Sequence, residues 1–185
     1  MNNYAKEKFD KWFEQIGRVG KYDLLGYLEK ANYFTAPAST QYHGAKESGL
    51  LEHSVNVTEL LWKINTALDA PFTSESIAIV GLFHDIGKTG YYGKPNYVEN
   101  ILKSGKRSES KPYEINKDML PVPHEVSAIH ILSKYINLTE EEVFAILYHN
   151  GLYTPVGYGL KGNERKLQTA LHFADMWASR FVEVD

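Results

Sequence analysis

Six side chains with metal-ligand chemistry sit where this chain should point inward. His53 shares a helical stripe with Val57, Leu60 and Ile64, and His84 shares one with Ile77 and Val80. His124 lies with Ala128, Ile131 and Tyr135, and His149 follows Ala145 and Ile146. Asp175 lies with Leu171, Ala178 and Val182, and Asp85 adjoins His84. Helical spacing thus puts polar groups on the apolar faces of their own elements. A buried carboxylate without partners costs several kcal/mol, so these groups must meet one another or a cation. Any one histidine alone fits a hydrogen-bonded core residue. Four imidazoles and two carboxylates together make a costly core without a cation and an ordinary ligand set around one. Such a set suits Mn, Fe, Zn, Co, Ni or Mg.

The sharpest local signal is LFHDIGK, residues 82–88. Adjacent residues differ by about 100° around a helix, so His84 and Asp85 face one ion only near a helix end. Gly87 is expected to supply that end. Lys88 then projects past it, either as a point charge for a phosphate oxygen or as a solvated lysine after the cap.

Helical periodicity dominates the elements that must position these groups. Residues 3–16 place Ala5, Phe9, Trp12 and Ile16 on one face, and 21–33 read as a second helix. A turn-rich connector, 35–49, precedes a long helix over about 50–68, ended by Pro71. The next helix opens at Thr73 or Ser74, runs through SIAIVGLFHDIG and is apolar almost all round, hence central. Residues 89–120 break the pattern. NYVENIL and KPYEIN flank a polar SGKRSES tip, which reads as a β-hairpin or lid-like loop. Pro121 and Pro123 introduce a helix over about 124–136, and Thr139 with Glu142 forms a capping box for one ending near Asn150. After a Gly-rich loop, 151–163, Asn163 is expected to cap a last helix, 164–182. With no internal repeat or linker, one all-α domain with a polar excursion is the economical fold.

His53, His84-Asp85 and Asp175, in GLLEHSVNV, LFHDIGK and HFADMWASR, resemble the H…HD…D signature of the HD-domain metal-dependent phosphohydrolases. The resemblance covers roughly residues 40–180 and implies a single HD-type domain, 1–185, with its core at about 40–182 and helices of 1–34 packed on it. It also implies that His53, His84, Asp85 and Asp175 bind a divalent metal. His124 and His149 stand in the order of the two further histidines of two-metal members, the cyclic-nucleotide phosphodiesterases and HD-GYP enzymes. By that resemblance Asp85 bridges two ions. The GYP segment is absent, which argues against cyclic-di-GMP, and HGAKESGLLEH is similar to the opening of the HD exoribonuclease type.

Composition sets the outer bounds. The chain has 185 residues, 43% hydrophobic and 23% charged, which excludes collagen-like, disordered and membrane-spanning classes. A polar, amphipathic N-terminus is not expected to be a secretory signal. The lack of cysteine excludes disulfides and thiolate chemistry and fits a reducing, cytoplasmic setting. A net charge of -3 does not suit duplex nucleic acid.

The expected function is hydrolysis of a phosphate ester of a nucleotide or related small molecule by metal-activated water. Divalent metals lower the pKa of water from 15.7 to about 7. Asp85 and Lys88 are the candidate catalytic groups. Lys88, Asn150, Tyr153 and Lys161 are the candidate substrate contacts, with Tyr148, Tyr158 and Arg165 nearby in sequence. Lys94, Lys103, Lys106, Arg107 and Lys111 form either a basic lobe over the site or a solvated turn. His43, His130 and His172 are assigned to structure, and His172 could support Asp175. The alternatives are a 3′–5′ exonuclease or phosphodiesterase on short single-stranded nucleic acid, and a non-catalytic HD-fold regulatory module. No membrane partner is expected. The helix of Trp12 and Phe13, or Trp177 with Phe181, could support a homo-oligomer.

Overall fold

Side-chain capping fixes three of the helix starts among the described residues. In the computed structural model, which describes residues 2–184, Asn2 accepts a hydrogen bond from the Ala5 N–H at the start of α1 (Asn3–Phe13). α2 (Lys21–Lys30) follows Gly20, whose φ of 88° suits glycine. α3 (Gly49–Ala67) ends before Pro71, and Thr73 caps α4 (Ser74–Phe83) through the Ser76 N–H. α5 (His124–Leu132) begins directly after Pro123. Thr139 and Glu142 form the expected reciprocal box at α6 (Glu140–Leu147). α7 (Lys166–Trp177) continues into a π-helical turn, Ala178–Val182.

The helices pack around α3 and α4. α3 lies against α4, α7 and α1, while α4 also meets α6. α4 is buried along Ile77–Phe83, as its all-round apolar sequence requires. Phe9, Phe13, Tyr33, Phe34 and Phe83 form an aromatic cluster, with Phe9–Phe34 centroids 5.1 Å apart and edge-on. The fold is mostly helical, as expected of an all-α HD-type domain. Among the described residues no helix is long and apolar enough to cross a membrane.

The 89–120 excursion forms two short ribbons. β1 (Gly90–Tyr91) pairs with β2 (Lys94–Pro95), and β3 (Tyr97–Glu99) pairs antiparallel with β4 (Tyr113–Ile115) in the register Val98↔Glu114. The second ribbon is the hairpin anticipated from NYVENIL and KPYEIN. It leans on the 35–48 connector, where the Tyr113 N–H donates to the Thr40 carbonyl at 3.2 Å.

Several boundaries differ from the sequence reading for local reasons. α1 stops at Phe13, although Ile16 is still buried beyond its end. α2 stops at Lys30, because Asn32 takes a φ of 57°. Arg165, not Asn163, precedes α7, and it makes no side-chain cap. The most consequential difference is at Gly87. α4 already ends at Phe83, and the chain tightens into a 3₁₀ turn, Ile86–Thr89, that contains Gly87. Gly87 is therefore not a helix stop. A Cβ there would stand 2.1 Å from the His124 carbonyl oxygen and 3.1 Å from the Ala128 nitrogen. Glycine is needed so that the doublet can press against the first turn of α5.

Gly87→Ala should therefore force α5 outward and cost about 1–3 kcal/mol, the usual scale for overpacking. Urea denaturation should show a lower midpoint with an unchanged slope. An unchanged midpoint would mean that this close approach is not needed.

Candidate metal centre

Helix ends supply four of the six side chains, and helix faces the other two. His53 points inward from the first half of α3 and is fully buried. His84 closes α4 with helical dihedrals (φ -53°, ψ -35°), while Asp85 leaves the helix (φ -103°, ψ 9°). That change of backbone direction lets neighbouring side chains converge. His124 is the first residue of α5, His149 lies just past α6, and Asp175 projects from α7.

Asp85 is the hub. Its Oδ1 lies 3.2 Å from His124 Nε2 and 3.4 Å from His149 Nε2. Its Oδ2 lies 3.5 Å from His53 Nε2, 3.6 Å from His84 Nε2 and 2.5 Å from Lys88 Nζ. Asp175 Oδ1 stands 3.2 Å from His53 Nε2. The carboxylate thus has two sides, one facing His53, His84 and Asp175, the other facing His124 and His149.

Each imidazole is oriented from behind. His84 Nδ1 bonds the Gly81 carbonyl at 2.9 Å, and His149 Nδ1 bonds the Ile146 carbonyl at 2.8 Å. His53 Nδ1 meets the Glu183 carboxylate at 3.0 Å, and His124 Nδ1 lies 3.4 Å from Glu125 Oε2. At His53, His84 and His149 a hydrogen-bonded acceptor at Nδ1 fixes a proton there and turns Nε2 forward, while His124 has the looser contact with Glu125. The His53 and His84 Nε2 atoms then face each other at 3.3 Å. Two lone pairs repel unless a proton or a cation lies between them. Asp85 Oδ1 is buried with no well-aligned hydrogen bond. Converging Nε2 atoms, two carboxylates and an orphaned buried oxygen fit a divalent cation. His53, His84 and Asp175 offer ligand atoms within 4.8 Å of one another, as do His84, Asp85 and His149.

The electrostatics show what stands in for a cation in the metal-free chain. Burial opposes protonation of His53, but hydrogen bonds to Asp175 and Glu183 outweigh it and raise its pKa to about 10. His84 moves the other way: burial, with His149 and His53 close by, lowers it to about 4 despite Asp85. Burial would raise Asp85, yet Lys88 and the imidazoles hold it well below the usual carboxylate range. Burial likewise works against ionised Asp175, and His53 overrides it. A protonated His53 and the Lys88 ammonium therefore offset part of the charge of Asp85, Asp175 and Glu183.

A cleft of about 1010 Å³ opens onto the centre. Lys88, Asn150, Tyr153 and Asp175 line it, whereas Lys161 is exposed and is not among its lining residues. Tyr158 and Arg165 are exposed and are not among them either. The excursion reaches the cleft with Glu109 and Pro112 rather than with its cations. Arg107 instead stacks on Tyr113 at 4.4 Å. His172 supports the centre by bonding the His149 carbonyl through Nδ1 at 2.7 Å, and His130 packs on Tyr91. Trp12 packs edge-on against Trp62, while Trp177 stacks on Phe181 with both partly exposed.

Sequence reasoning missed Glu183, Glu125 and the proximity of His43. Glu183 also accepts from Asn56 Nδ2 at 3.0 Å, and the His43 ring lies 5.2 Å from that of His53. On a regular helix Glu183 would sit about 80° around from Asp175. The π turn changes that register, so periodicity could not reveal it. Glu125 was legible only as the neighbour of His124.

An all-α domain with a buried His/Asp cluster at its helix ends defines an HD-type protein. The HDOD domain model matches residues 30–152, about two thirds of the chain. The chain therefore belongs to the HDOD domain family, which is HD-related. Comparisons with curated proteins and with solved structures give no match.

Glu183→Gln should weaken divalent-metal affinity about 10–100-fold, as loss of a supporting carboxylate does elsewhere. Calorimetric titration measures it, and unchanged affinity would reduce Glu183 to packing. The raised pKa of His53 has a second consequence. The proton it holds below pH 10 or so must leave when a cation binds Nε2. Metal uptake at pH 7 should release about one proton, and affinity should climb as pH rises toward that value. The metal-free chain should move oppositely. Its His53 contribution to stability is complete below the unfolded value of 6.5 and fades as pH rises through about 10. Titrations in buffers of different ionisation enthalpy count the proton.

Proposed function

We propose that this protein is a metal-dependent phosphohydrolase that cleaves a phosphate ester of a nucleotide or a related small molecule. The observation that carries this reading is the orientation of the imidazoles. Nδ1 of His53, His84, His124 and His149 each faces an acceptor, so all four Nε2 atoms face Asp85. A core built only for packing has no need to aim four imidazole Nε2 atoms at one carboxylate.

His53, His84, Asp85 and Asp175 would hold one divalent ion, and His124 and His149 with Asp85 a second. A bound ion supplies Lewis acidity toward water and toward phosphoryl oxygens. The chain's own groups do the rest. Asp85 fixes the spacing of the two histidine sets through its separate oxygens. Lys88 presents an ammonium both to Asp85 Oδ2 and to the cleft, where it offsets charge on a phosphoryl oxygen. Tyr153 and Asn150 form the neighbouring wall for sugar or base. Lys161 would contact only a substrate that extends beyond the cleft. The net charge of -3 favours a small substrate over a long polymer. Weak dependence of KM on salt would support that choice, whereas a steep dependence would favour single-stranded nucleic acid.

One observation favours a second reading. Lys88 lies 2.5 Å from Asp85 and, with protonated His53, offsets much of the cluster's charge internally. A site that can rest without a cation would also suit a non-catalytic regulatory module.

A phosphate-release screen over nucleotides and short oligonucleotides with Mn, Co or Mg tests the proposal. Asp85→Ala should abolish release and lower the metal content, and full retention of activity would end the hydrolase reading. Lys88→Met should cut kcat about 10²–10³-fold, the scale for losing one electrostatic donor at a transition state. Its metal content should be unchanged or higher. No turnover of any substrate by the metal-loaded protein would favour the regulatory module.

A further inference from the structure

The two sides of Asp85 are not equivalent. On the Asp175 side the ligand atoms belong to two imidazoles and two carboxylates, and among the described residues His84 Nε2 meets the facing His53 ring at 3.3 Å and Asp85 Oδ2 at 3.6 Å. On the other side both imidazoles are already engaged. The Asn150 amide nitrogen lies 2.9 Å from His149 Nε2, 3.3 Å from His124 Nε2 and 2.8 Å from Glu125 Oε1. The two shorter contacts are to acceptors: His149 carries its proton on Nδ1, and Glu125 is a buried carboxyl group. This set identifies the nitrogen, not the oxygen, as the inward atom of the amide. One NH₂ group therefore caps the His149 lone pair and stands against His124 Nε2, the two atoms that a second cation would need.

Asn150 is placed to move. It follows His149 in the short stretch between α6 and a 3₁₀ turn at Gly151–Tyr153, where Gly151 has a φ of 56°. Its side chain is half-buried and faces the cleft. Turning outward would release both imidazoles and expose Glu125, a third potential donor on that side.

We infer that Asn150 gates the second cation position, so that one ion enters on the Asp175 side and a second is admitted only when the Asn150 amide turns away from His124 and His149. This inference rests on the metal-centre reading above. It makes the chain a stepwise binder, with the one-ion form as its resting loaded state. The side whose own carboxylate, Glu125, is tied to the Asn150 amide is the one that is closed.

Manganese titration of the full chain tests it, followed by calorimetry and by electron paramagnetic resonance. An isolated ion and a coupled pair give different spectra. The native protein should fill in two steps, the second at least about ten-fold weaker. Asn150→Ala should tighten the second step about ten-fold, as expected for removing one to two competing hydrogen bonds. The first step should stay within about two-fold. Asn150→Asp keeps the size, removes the donor, and should shift the second step in the same direction. His124→Ala should erase the second step alone. Two equal steps in the native chain, or a second step unmoved in both Asn150 variants, would overturn the gate. No manganese uptake at all would instead overturn the metal centre on which the gate depends.

Discussion

The structure is organised around one buried carboxylate. Asp85 is 1% exposed, and an ionised carboxylate there is untenable unless positive charge or strong donors surround it. Lys88 and the protonated His53 answer that demand, and His84, His124 and His149 complete a ring of five groups from four separate parts of the chain. Their own orientation is bound into the backbone, through the Gly81 and Ile146 carbonyls, or into further carboxylates, through Glu183 and Glu125. Loosening any helix end that carries one of them exposes the others to an unmatched charge. Fold and centre are therefore mutually dependent.

Helix termini are the means by which this is achieved. A helix interior separates neighbouring side chains by about 100°, so a His-Asp pair within one cannot converge. At Asp85 the chain leaves α4 for a 3₁₀ turn, and the two side chains then share a target. His124 opens its helix and His149 follows one, so both also sit where the backbone changes direction. Gly87 lets two of these junctions touch, since no Cβ intervenes between the doublet's turn and the His124 carbonyl. The long helices α3 and α7 supply the remaining ligands from their sides, as rigid rods packed on each other.

What could be read from the residues alone follows the same division. Ligands on helix sides, His53 and Asp175, announce themselves because a polar residue interrupts an apolar stripe with a period of 3.6. The doublet announces itself by its type and by the change of pattern at Gly87, even though the glycine's role proved to be close approach rather than termination. The hairpin at 97–115 was visible from its two β-like runs. Glu183 was not visible, because a π turn alters the spacing on which such reasoning depends. Asn150 could be placed near the site, but its position between two imidazoles and a carboxylate depends on χ angles that no pattern encodes. Lys161 lay close in sequence to residues of the cleft, yet the Gly-rich loop carries it into solvent. Periodicity locates faces of regular elements, and it is silent about loops and supporting contacts.

The span of the family match adds a last constraint. Residues 30–152 contain the hub and all four histidines, and so the complete His124–His149 side of the centre. Asp175 and Glu183, which complete the His53 side, lie beyond it on α7 and its π turn. A chain limited to the matched residues would keep His53 but lose both carboxylates that raise its pKa. The same two carboxylates are what make the His53 side the more anionic half. The C-terminal helix is thus more than a covering for α3. It supplies the charge asymmetry by which one half of the cluster would be the stronger site for a cation under the proposed reading.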